Sequence, residues 1–341
     1  MKYRKLLVPE IGKVTMVEEE WNGKISGPND VIIRNHFSHI SAGSELAAID
    51  GLESWFNIPG TPGYTAVGEV LEIGEDVDHV IPGDLVYTYG PHAEMYKIDA
   101  TDRWHGVCVK LPEGVRSDHA SFTHMAGIAM TAIRNSNIEL GDDVAVTGMG
   151  AIGILAAQLA QLQGARVIAT DPEPTRREMA KQCGIMHVLD PILPDLKDQI
   201  MSMTNEQGVS TLIDASGMSK VIEQSIDFVA LYGEVILLGT PRSPYETNLT
   251  GVLQHFHLLP HCLTMKGALE FIFPTHQMEF LKHSIERNAS VILGLIKSGK
   301  LLIGPIHSHT MKPSDAQAAY DGLRNKKNEF IGVVFDWLSF R

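Results

Sequence analysis

The chain has 341 residues, 44 % of them hydrophobic and 20 % charged, which is typical of a folded globular protein and excludes a disordered one. Lys and Arg (28) against Asp and Glu (41) give a net charge of −13, so we expect neither nucleic acid nor a membrane as a partner, because both attract positive charge. The three cysteines are far apart and form no CxxC pair; together with the lack of a signal-peptide core near the start, they predict a cytoplasmic protein without disulfides.

The first 115 residues or so predict an irregular, mostly β domain. Short β-prone runs alternate with Pro-Gly turns such as Pro59-Gly60 and Pro82-Gly83. The predicted strands are Val31–Arg34, Thr65–Ile73, Leu85–Tyr89 and Ala93–Ile98.

From about residue 120 the pattern changes to strands alternating with helices, which predicts a doubly wound parallel sheet in an α/β fold. Apolar residues recur at helical spacing over Ala151–Gln163 and predict a helix there. The six predicted strands are Val144–Thr147, Val167–Thr170, His187–Leu189, Thr211–Asp214, Glu234–Leu238 and Leu263–Met265.

The tail returns to a mixed pattern, with a helix predicted over Ser314–Arg324 and a last strand over Phe330–Asp336. We expect this strand to pack back on the N-terminal domain. The predicted domains are therefore a discontinuous one, residues 1–118 with 274–341, and a cofactor domain over residues 119–273.

A glycine-rich turn stands between the first predicted strand of the parallel sheet and its helix, in the order Gly148, Met149, Gly150, Ala151, Ile152 and Gly153. A GxGxxG motif in this strand–turn–helix context predicts a dinucleotide site. The first glycine permits the tight turn, the second admits the pyrophosphate, and the third lets the helix pack closely on the strand. Amides at the helix N-terminus then face the phosphates.

Asp171 ends the second predicted strand of the sheet, about 20 residues beyond the glycines. A carboxylate there accepts hydrogen bonds from the adenosine ribose and repels a 2′-phosphate, so the predicted cofactor is NAD. Alternatively, Asp171 only caps the following helix. Arg176 and Arg177 are candidates for contacting adenine or a phosphate, or they form a solvated helix face.

Two later segments end the fourth and fifth predicted strands, where ligands of open α/β sheets bind. They add Ala215, Ser216, Gly239 and Thr240 to the predicted cofactor site. The alternative is that both segments are ordinary glycine turns.

With these residues in hand, the chain resembles the medium-chain dehydrogenase/reductase superfamily, which includes zinc-dependent alcohol and polyol dehydrogenases. The similar segments are Pro62–Glu69 (PGYTAVGE), Pro82–Val86 (PGDLV), His92–Met95 (HAEM) and Asp315–Tyr320 (DAQAAY). The resemblance implies a GroES-like β-rich catalytic domain and a Rossmann domain with a six-stranded parallel sheet. It also implies a homodimer or homotetramer, with Leu263–Phe273 as a candidate interface.

The positions that hold catalytic zinc in this family carry other residues here. Ala42 stands in place of the first ligand, a Cys, and Tyr64 in place of the second, a His; His124 falls near the third. Because a catalytic zinc needs three protein ligands, we expect no metal there. The motifs around Ala42 and Tyr64 resemble those of a zinc-lacking branch of the superfamily, which includes bacteriochlorophyllide dehydrogenase.

Without zinc, side chains must move the substrate proton, and the resemblance implies Ser44, Glu45, Tyr64 and His124 as candidates. An imidazole suits general acid/base work near neutral pH. Alternatively, Tyr64 and His124 only fill the vacated site. Trp55, Phe56 and Glu270 are the predicted substrate-lining residues.

Two His-x-His pairs, His255/His257 and His307/His309, share a face if they lie in strands and offer metal ligands. With no acidic residue nearby in the sequence, we expect surface or helix-end histidines instead.

Three functions remain open. The first is an NAD-dependent, zinc-independent dehydrogenase that transfers hydride between nicotinamide and a secondary alcohol or ketone of a polyol, sugar or similar small molecule. The second is a reductase of C=C bonds in enones or quinones, and the third a catalytically silent NAD(H)-binding protein.

Overall fold

A computed structural model of the chain describes residues 2–340. The chain forms two compact units. The first, here called the β-rich unit, comprises the residues up to His124 and those from Phe273 onward. The second, the parallel-sheet unit, is Met125–Ile272. In the described part of the chain, no helix combines the length and the apolar character that crossing a bilayer requires.

The secondary-structure elements, in chain order, are β1 (Lys2–Glu10), β2 (Lys13–Glu20), β3 (Asp30–His39), α1 (Ala42–Ile49), β4 (Ala66–Ile73), β5 (Leu85–Thr88), β6 (Met95–Asp99), β7 (Cys108–Lys110), α2 (Ser117–Ala120), α3 (Thr123–Asn135), β8 (Asp143–Thr147), α4 (Ala151–Gln163), β9 (Arg166–Thr170), α5 (Pro174–Gln182), β10 (His187–Leu189), α6 (Leu196–Met203), β11 (Val209–Asp214), α7 (Ser219–Ser225), β12 (Val229–Leu237), α8 (Leu249–His257), β13 (Thr264–Gly267), α9 (Ile285–Lys297), β14 (His307–Met311), α10 (Ala316–Asn325) and β15 (Gly332–Asp336). Short 3-10 turns lie at 226–228, 270–272, 304–306, 313–315 and 338–340.

The β-rich unit is built on a seven-stranded sheet with the order β14-β15-β3-β4-β5-β7, and β6 also pairs with β3. The last strand, β15, pairs antiparallel with β3, so the C-terminal segment completes the sheet that the N-terminal segment begins. Its core includes the fully buried Ile40, Tyr320, Phe335 and Trp337. Burial of such large apolar side chains supplies most of the driving force for this packing.

The parallel-sheet unit has six strands in the order β10-β9-β8-β11-β12-β13, and all neighbours are parallel. Strands β8 and β11 are adjacent, but the chain leaves β8 toward β9 and β10 and returns on the other side. This reversal of strand order opens a crevice beyond the carboxyl ends of β8 and β11, where doubly wound sheets bind their ligands. Helix α4 begins and ends at the predicted residues.

The sequence patterns missed several elements of the β-rich unit. The hairpin β1–β2 was not predicted, since its first strand reads as a basic segment followed by a short apolar run. The units divide after His124 rather than after residue 118, because α2 packs on β3 and β4 and remains with the β-rich unit. Helix α3 begins at Thr123 and runs across this division.

Candidate functional site

Three glycines at the end of β8 give the backbone its shape at the candidate cofactor site. Gly148 has φ +88°, and a Cβ there would lie 3.0 Å from the Cα of Ser216. A Cβ on Gly153 would collide with the carbonyl oxygen of Gly148. Gly150 differs from both, because a Cβ on it would meet no atom within 4 Å. The turn is therefore packed on its inner side and open at Gly150, the arrangement that lets a pyrophosphate approach backbone amides.

The other residues of this turn differ in how deeply their side chains are buried. The Met149 side chain is fully buried, while Ala151 and Ile152 are half-buried in the first turn of α4. Helix α4 is long enough, at 13 residues, for its N-terminal N–H groups to attract an anion. The open backbone at Gly150 and this helix terminus together fit the pyrophosphate of a dinucleotide.

Asp171 follows β9 and is 3 % exposed. Its Oδ2 accepts a hydrogen bond from the Met149 amide at 2.7 Å, and its Oδ1 accepts one from the Glu173 amide at 2.8 Å. The carboxylate thus ties the glycine turn to the start of α5. Because a carboxylate has about four acceptor positions, these two hydrogen bonds do not use its full capacity.

The two arginines of α5 have different surroundings. Arg177 donates to the carbonyl oxygens of Asp171 and Pro172 and pairs with Asp190 at 3.0 Å, which makes it a structural residue. Arg176 lies with its NH1 atom 3.8 Å from the Asp171 carboxylate. Of the two, Arg176 is therefore the one beside the candidate ribose site.

Asp214, at the end of β11, is a residue that the sequence reasoning did not single out. It is fully buried, and its Oδ1 accepts from the hydroxyls of Thr147 (2.8 Å) and Ser216 (2.6 Å). Its Oδ2 accepts from the Gly217 amide at 3.1 Å. Asp214 therefore fixes the loop after β11 to the end of β8. An Asp-x-Ser-Gly run at a strand end was the signal available in the sequence.

The loops after β11 and β12 meet beyond the sheet. The Gly239 amide donates to the carbonyl oxygen of Asp214 at 2.7 Å, and a Cβ on Gly239 would collide with the Gly217 amide. Ala215 and Ser216 are half-buried, and Thr240 is exposed. The predicted cofactor residues of these two loops thus lie together at the carboxyl edge of the sheet.

In the β-rich unit, a pocket of about 420 Å³ has an aromatic wall. Trp55, Phe56 and Tyr64 all line it, and the rings of Trp55 and Tyr64 meet edge to face with centroids 6.2 Å apart. Polar side chains of Lys97 and Asp102 lie on the same pocket. Such an aromatic surface with nearby polar groups suits a polyhydroxylated ring.

His124 lies directly behind this aromatic wall and is 4 % exposed. Its ring stacks on Tyr89 with centroids 4.2 Å apart, and it meets the edge of Tyr64 at 5.0 Å. Its Nδ1 is 3.1 Å from the carbonyl oxygen of Tyr64. Because a carbonyl can only accept, Nδ1 carries the hydrogen, and in the neutral ring Nε2 has the lone pair. The structure brings two of the four candidate proton-transfer residues, Tyr64 and His124, together.

Glu45 borders the same pocket, but its carboxylate is bound from within the protein and is 1 % exposed. Oε2 accepts from the Tyr320 hydroxyl at 2.6 Å and lies 3.0 Å from His92 Nε2, while Oε1 accepts from the Ser41 amide at 2.7 Å. Burial, reinforced by Glu45, raises the pKa of Tyr320 well above its usual value. Glu45 thus anchors α1 to α10.

The network continues through His92, whose Nδ1 is 2.7 Å from the Ser38 hydroxyl, which in turn accepts from the indole of Trp337 at 2.9 Å. This chain of buried contacts was invisible in the sequence. Ser44, also a predicted proton-transfer residue, is half-buried in the first turn of α1.

The residues at the family's three zinc-ligand positions do not fit a catalytic zinc ion. Ala42 offers no ligand atom and Tyr64 offers a phenol, so His124, through Nε2, is the one ordinary zinc ligand among the three. A catalytic zinc needs three protein ligands. In the described part of the chain, two clusters of at least three metal-ligand side chains occur, and both lie elsewhere: Asp118, His119 and His307, and Asp227, His255 and His261.

Glu270, a predicted substrate residue, belongs to the parallel-sheet unit and is 5 % exposed. Its Oε1 would lie 2.7 Å from a Cβ on Gly127 of α3. The absence of a side chain at Gly127 therefore makes room for this carboxyl group.

Two of the three cysteines do not supply a catalytic thiolate. None of the three forms a disulfide, and Cys108 and Cys183 are buried. Burial raises the pKa of both buried thiols to about 12. Neither is ionised near neutral pH, so the nucleophilic form of cysteine is not available at these positions.

Residues 151–278 match the family model for zinc-binding dehydrogenases. This match lies beyond positions 42, 64 and 124, so it carries no information on the zinc ligands.

Two named relatives and a solved structure are similar to larger parts of the chain. D-guloside 3-dehydrogenase of Shigella flexneri is 34 % identical over 196 residues, which are 57 % of this chain and 55 % of that protein, so the match spans about half the length of this relative. L-threonine 3-dehydrogenase of Pyrococcus abyssi is 26 % identical over 336 residues, 88 % of this chain and 90 % of that protein. The structure of galactitol-1-phosphate dehydrogenase from Escherichia coli has a TM-score of 0.81 at 20 % identity and covers 98 % of this chain and 99 % of its own.

The solved structure establishes the fold, a GroES-like β-rich unit with a Rossmann unit, and the glycine turn and strand order agree with it. The chain is thus similar in sequence to a dehydrogenase over most of its length and shares its fold with a solved dehydrogenase structure.

Proposed function

We propose that this protein is an NAD-dependent, zinc-independent dehydrogenase that acts on a secondary alcohol, or the matching ketone, of a polyol, sugar or similar small molecule. The observation that carries the proposal is the edge-to-face contact of the Tyr64 and His124 rings, whose centroids are 5.0 Å apart. This contact lies beside a pocket with an aromatic wall. Relatives named as dehydrogenases of D-guloside and L-threonine support an alcohol-type substrate. Free cysteines are consistent with a reducing compartment such as the cytoplasm.

Bound NAD would supply the hydride acceptor for alcohol oxidation. The amides around Gly150 and the start of α4 would hold its pyrophosphate, and Asp171 would accept hydrogen bonds from its ribose. The buried hydrogen bonds of Asp171 keep its carboxylate oriented before the cofactor binds.

Tyr64 is the residue that would receive the substrate proton, because it lines the pocket. His124, behind it, has a ring held by the Tyr64 carbonyl and by stacking on Tyr89. Its Nε2 lone pair would accept the proton that Tyr64 passes on. The tyrosine and the histidine would together take up the proton that a catalytic zinc ion would otherwise make easier to lose by lowering the pKa of the substrate hydroxyl.

The test is turnover of the Tyr64→Phe and His124→Ala variants over a panel of polyols, sugars, enones and quinones. We expect each variant to lower kcat by about 100-fold or more, the usual contribution of a general acid/base group, with little change in KM. Tyr3→Phe and His79→Ala, at positions outside the pocket, are the matched controls and should retain wild-type rates.

Full activity in both variants would overturn the proton-transfer roles. Turnover of enones or quinones alone would favour the C=C reductase, and no turnover with retained NADH binding would favour the catalytically silent protein. Turnover that persists after a chelator has removed all bound metal is the expected sign of zinc independence.

We also propose a homodimer or homotetramer that forms through the segment Leu263–Phe273. Strand β13 is an edge of the parallel sheet, and exposed apolar side chains on and after it include Met265, Leu269 and Ile272. An unpaired strand edge with such side chains is typical of a surface that another chain covers.

A further inference from the structure

A cluster of two histidines and an aspartate lies in the parallel-sheet unit and includes none of the glycine-turn residues. Its members are Asp227, His255 and His261, here called the α8 cluster. One ligand atom from each residue lies within 4.8 Å of those from the other two. The nitrogen and oxygen donors of such a set suit a divalent transition metal.

The spacing of the ligand atoms agrees better with a bridging metal than with direct hydrogen bonds. Asp227 Oδ1 and His255 Nε2 are 3.5 Å apart, longer than the usual 2.7–3.2 Å of a hydrogen bond. Two ligands of a tetrahedral ion with bonds of about 2.1 Å are separated by about 3.4 Å. The pair is therefore at the separation that a shared metal ion would impose.

The His261 ring is oriented as the rings of metal-binding histidines commonly are. His261 Nδ1 lies 3.0 Å from the carbonyl oxygen of Val229 and must donate to it, so Nε2 keeps its lone pair. Metal-binding histidines commonly have this second hydrogen bond, which fixes the ring and its tautomer. His255 Nδ1 is buried without a hydrogen-bond partner among residues 2–340. The two rings are 4.7 Å apart between centroids.

Three separate segments bring these residues together. Asp227 is in the 3-10 turn before β12, His255 in the last turn of α8, and His261 in the loop between α8 and β13. The Asp227 side chain is 51 % exposed and that of His255 is 23 % exposed, so solvent ions reach the cluster and water can complete the coordination. Lys197 approaches Asp227 at 4.0 Å, but it is 55 % exposed and free to withdraw.

The other cluster, Asp118, His119 and His307, is a weaker candidate. Both oxygens of Asp118 already accept from the Arg116 guanidinium, at 3.1 and 2.6 Å. A metal ion would have to displace this bidentate ion pair and withstand the repulsion of the arginine.

We propose that the α8 cluster binds one Zn²⁺ per chain through Asp227, His255 and His261. The ion would fasten the end of α8 and the loop before β13 to the turn before β12. It would be separate from the family's catalytic position, which Ala42, Tyr64 and His124 occupy. Zinc found in the purified protein would therefore be no sign of a metal-dependent reaction.

The experiment is titration of the chelator-stripped full-length chain with ZnCl₂ by calorimetry, with thermal unfolding measured in parallel. We expect one Zn²⁺ per chain and a higher Tm in zinc. His255→Ala, His261→Ala and Asp227→Asn should each weaken the affinity by at least about 10-fold and abolish the rise in Tm. His257→Ala is the matched control, because His257 is exposed on α8 outside the cluster, and it should bind like the wild type.

Far-UV circular dichroism of each variant checks its folding, and His255→Gln replaces His255→Ala if that variant loses helix. The proposal is overturned by an absence of zinc binding, by unchanged affinity in the three cluster variants, or by loss of binding only in His307→Ala. None of these outcomes depends on catalysis. If turnover still requires zinc in the His255→Ala variant, the proposed zinc-independent reaction is wrong, but the proposal that the α8 cluster binds zinc is unaffected.

Discussion

Asp171 has a structural role that its hydrogen bonds show and a cofactor-binding role that we propose. The sequence suggested either a ribose contact or a helix cap. The structure shows contacts to the Met149 amide at 2.7 Å and to the Glu173 amide at 2.8 Å, so the residue joins the glycine turn to the start of α5. Under the proposed function, the remaining acceptor positions would bind ribose hydroxyls, and the negative charge would repel a 2′-phosphate.

We predict that Asp171→Asn weakens NADH binding by about 10-fold, because a hydrogen bond to a charged group contributes about 1.5 kcal/mol. Fluorescence titration with NADH and NADPH measures this effect. The variant should also lose part of the preference for NADH over NADPH. Glu178→Gln, an exposed change on α5, should leave both affinities unaltered. A wild-type preference for NADPH would contradict the proposed cofactor.

The contacts of Glu45 could not be inferred from its position in the sequence. Its resemblance to an acidic family position suggested a part in proton transfer, which stays a prediction. Its partners Tyr320 and His92 come from distant parts of the chain. No local sequence pattern could therefore predict the buried network. The same holds for Asp214, whose role depends on the neighbouring end of β8.

At the scale of elements, the hydrophobic pattern predicted secondary structure best where its periodicity is long and regular. Helix α4 was predicted to its ends, and each of the six parallel strands was found near its predicted position. The pair His255/His257 lies in the last turn of helix α8, which agrees with the expected surface or helix-end histidines; residues two apart in a helix point to different faces. His255 found its neighbours His261 and Asp227 through the tertiary fold.

Substitutions at two glycines of the turn before α4 should distinguish an effect on stability from an effect on NADH binding. We predict that Gly153→Ala lowers the stability of the parallel-sheet unit by about 2 kcal/mol or more, since the new Cβ would overlap the Gly148 carbonyl. Gly150→Ala should leave stability within about 0.5 kcal/mol of wild type and weaken NADH binding by about 10-fold. The measurements are thermal unfolding followed by far-UV circular dichroism and NADH titration. Equal loss of stability in both variants would contradict the geometry.

At the scale of the whole molecule, the β-rich unit contains a histidine that must stay neutral. His39 is 1 % exposed, packs on Phe122 with ring centroids 4.2 Å apart, and has no partner for either ring nitrogen in the described part of the chain. Burial lowers its pKa to about 3, and the nearby His307, His92 and His124 act in the same direction. The unfolded chain binds this proton at an ordinary histidine pKa, so acid favours unfolding.

We predict that the His39 contribution is fully present above about pH 6.5 and is lost progressively as the pH falls toward 3. Between about pH 7.5 and about pH 5.5 the unfolding free energy of the β-rich unit should drop by about 1.4 kcal/mol from this group. His39→Leu should remove that part of the drop, and the exposed His79→Gln should not. Urea unfolding followed by tryptophan fluorescence reports this unit alone, because all four tryptophans lie in it.

Self-association is the second property of the whole molecule open to test. We predict that the wild type sediments with at least twice the 37.4 kDa of one chain. The double variant Met265→Lys with Leu269→Lys should sediment as a monomer, because two charges on an apolar interface are costly to bury. Leu140→Lys, an exposed change elsewhere on the unit, should preserve the assembly. A monomeric wild type would contradict the proposed interface.

The sequence by itself determined the glycine turn, the acidic residue after the second parallel strand and the order of strands and helices, because these depend on short-range periodicity and on backbone requirements of single residues. It also indicated that the zinc ligands are replaced. Only the tertiary structure decided what the replacements contact, since Tyr64 and His124 are 60 positions apart and meet through packing. The α8 cluster and the Glu45 network have the same origin: each joins separate segments of the chain, which the burial of other residues places together.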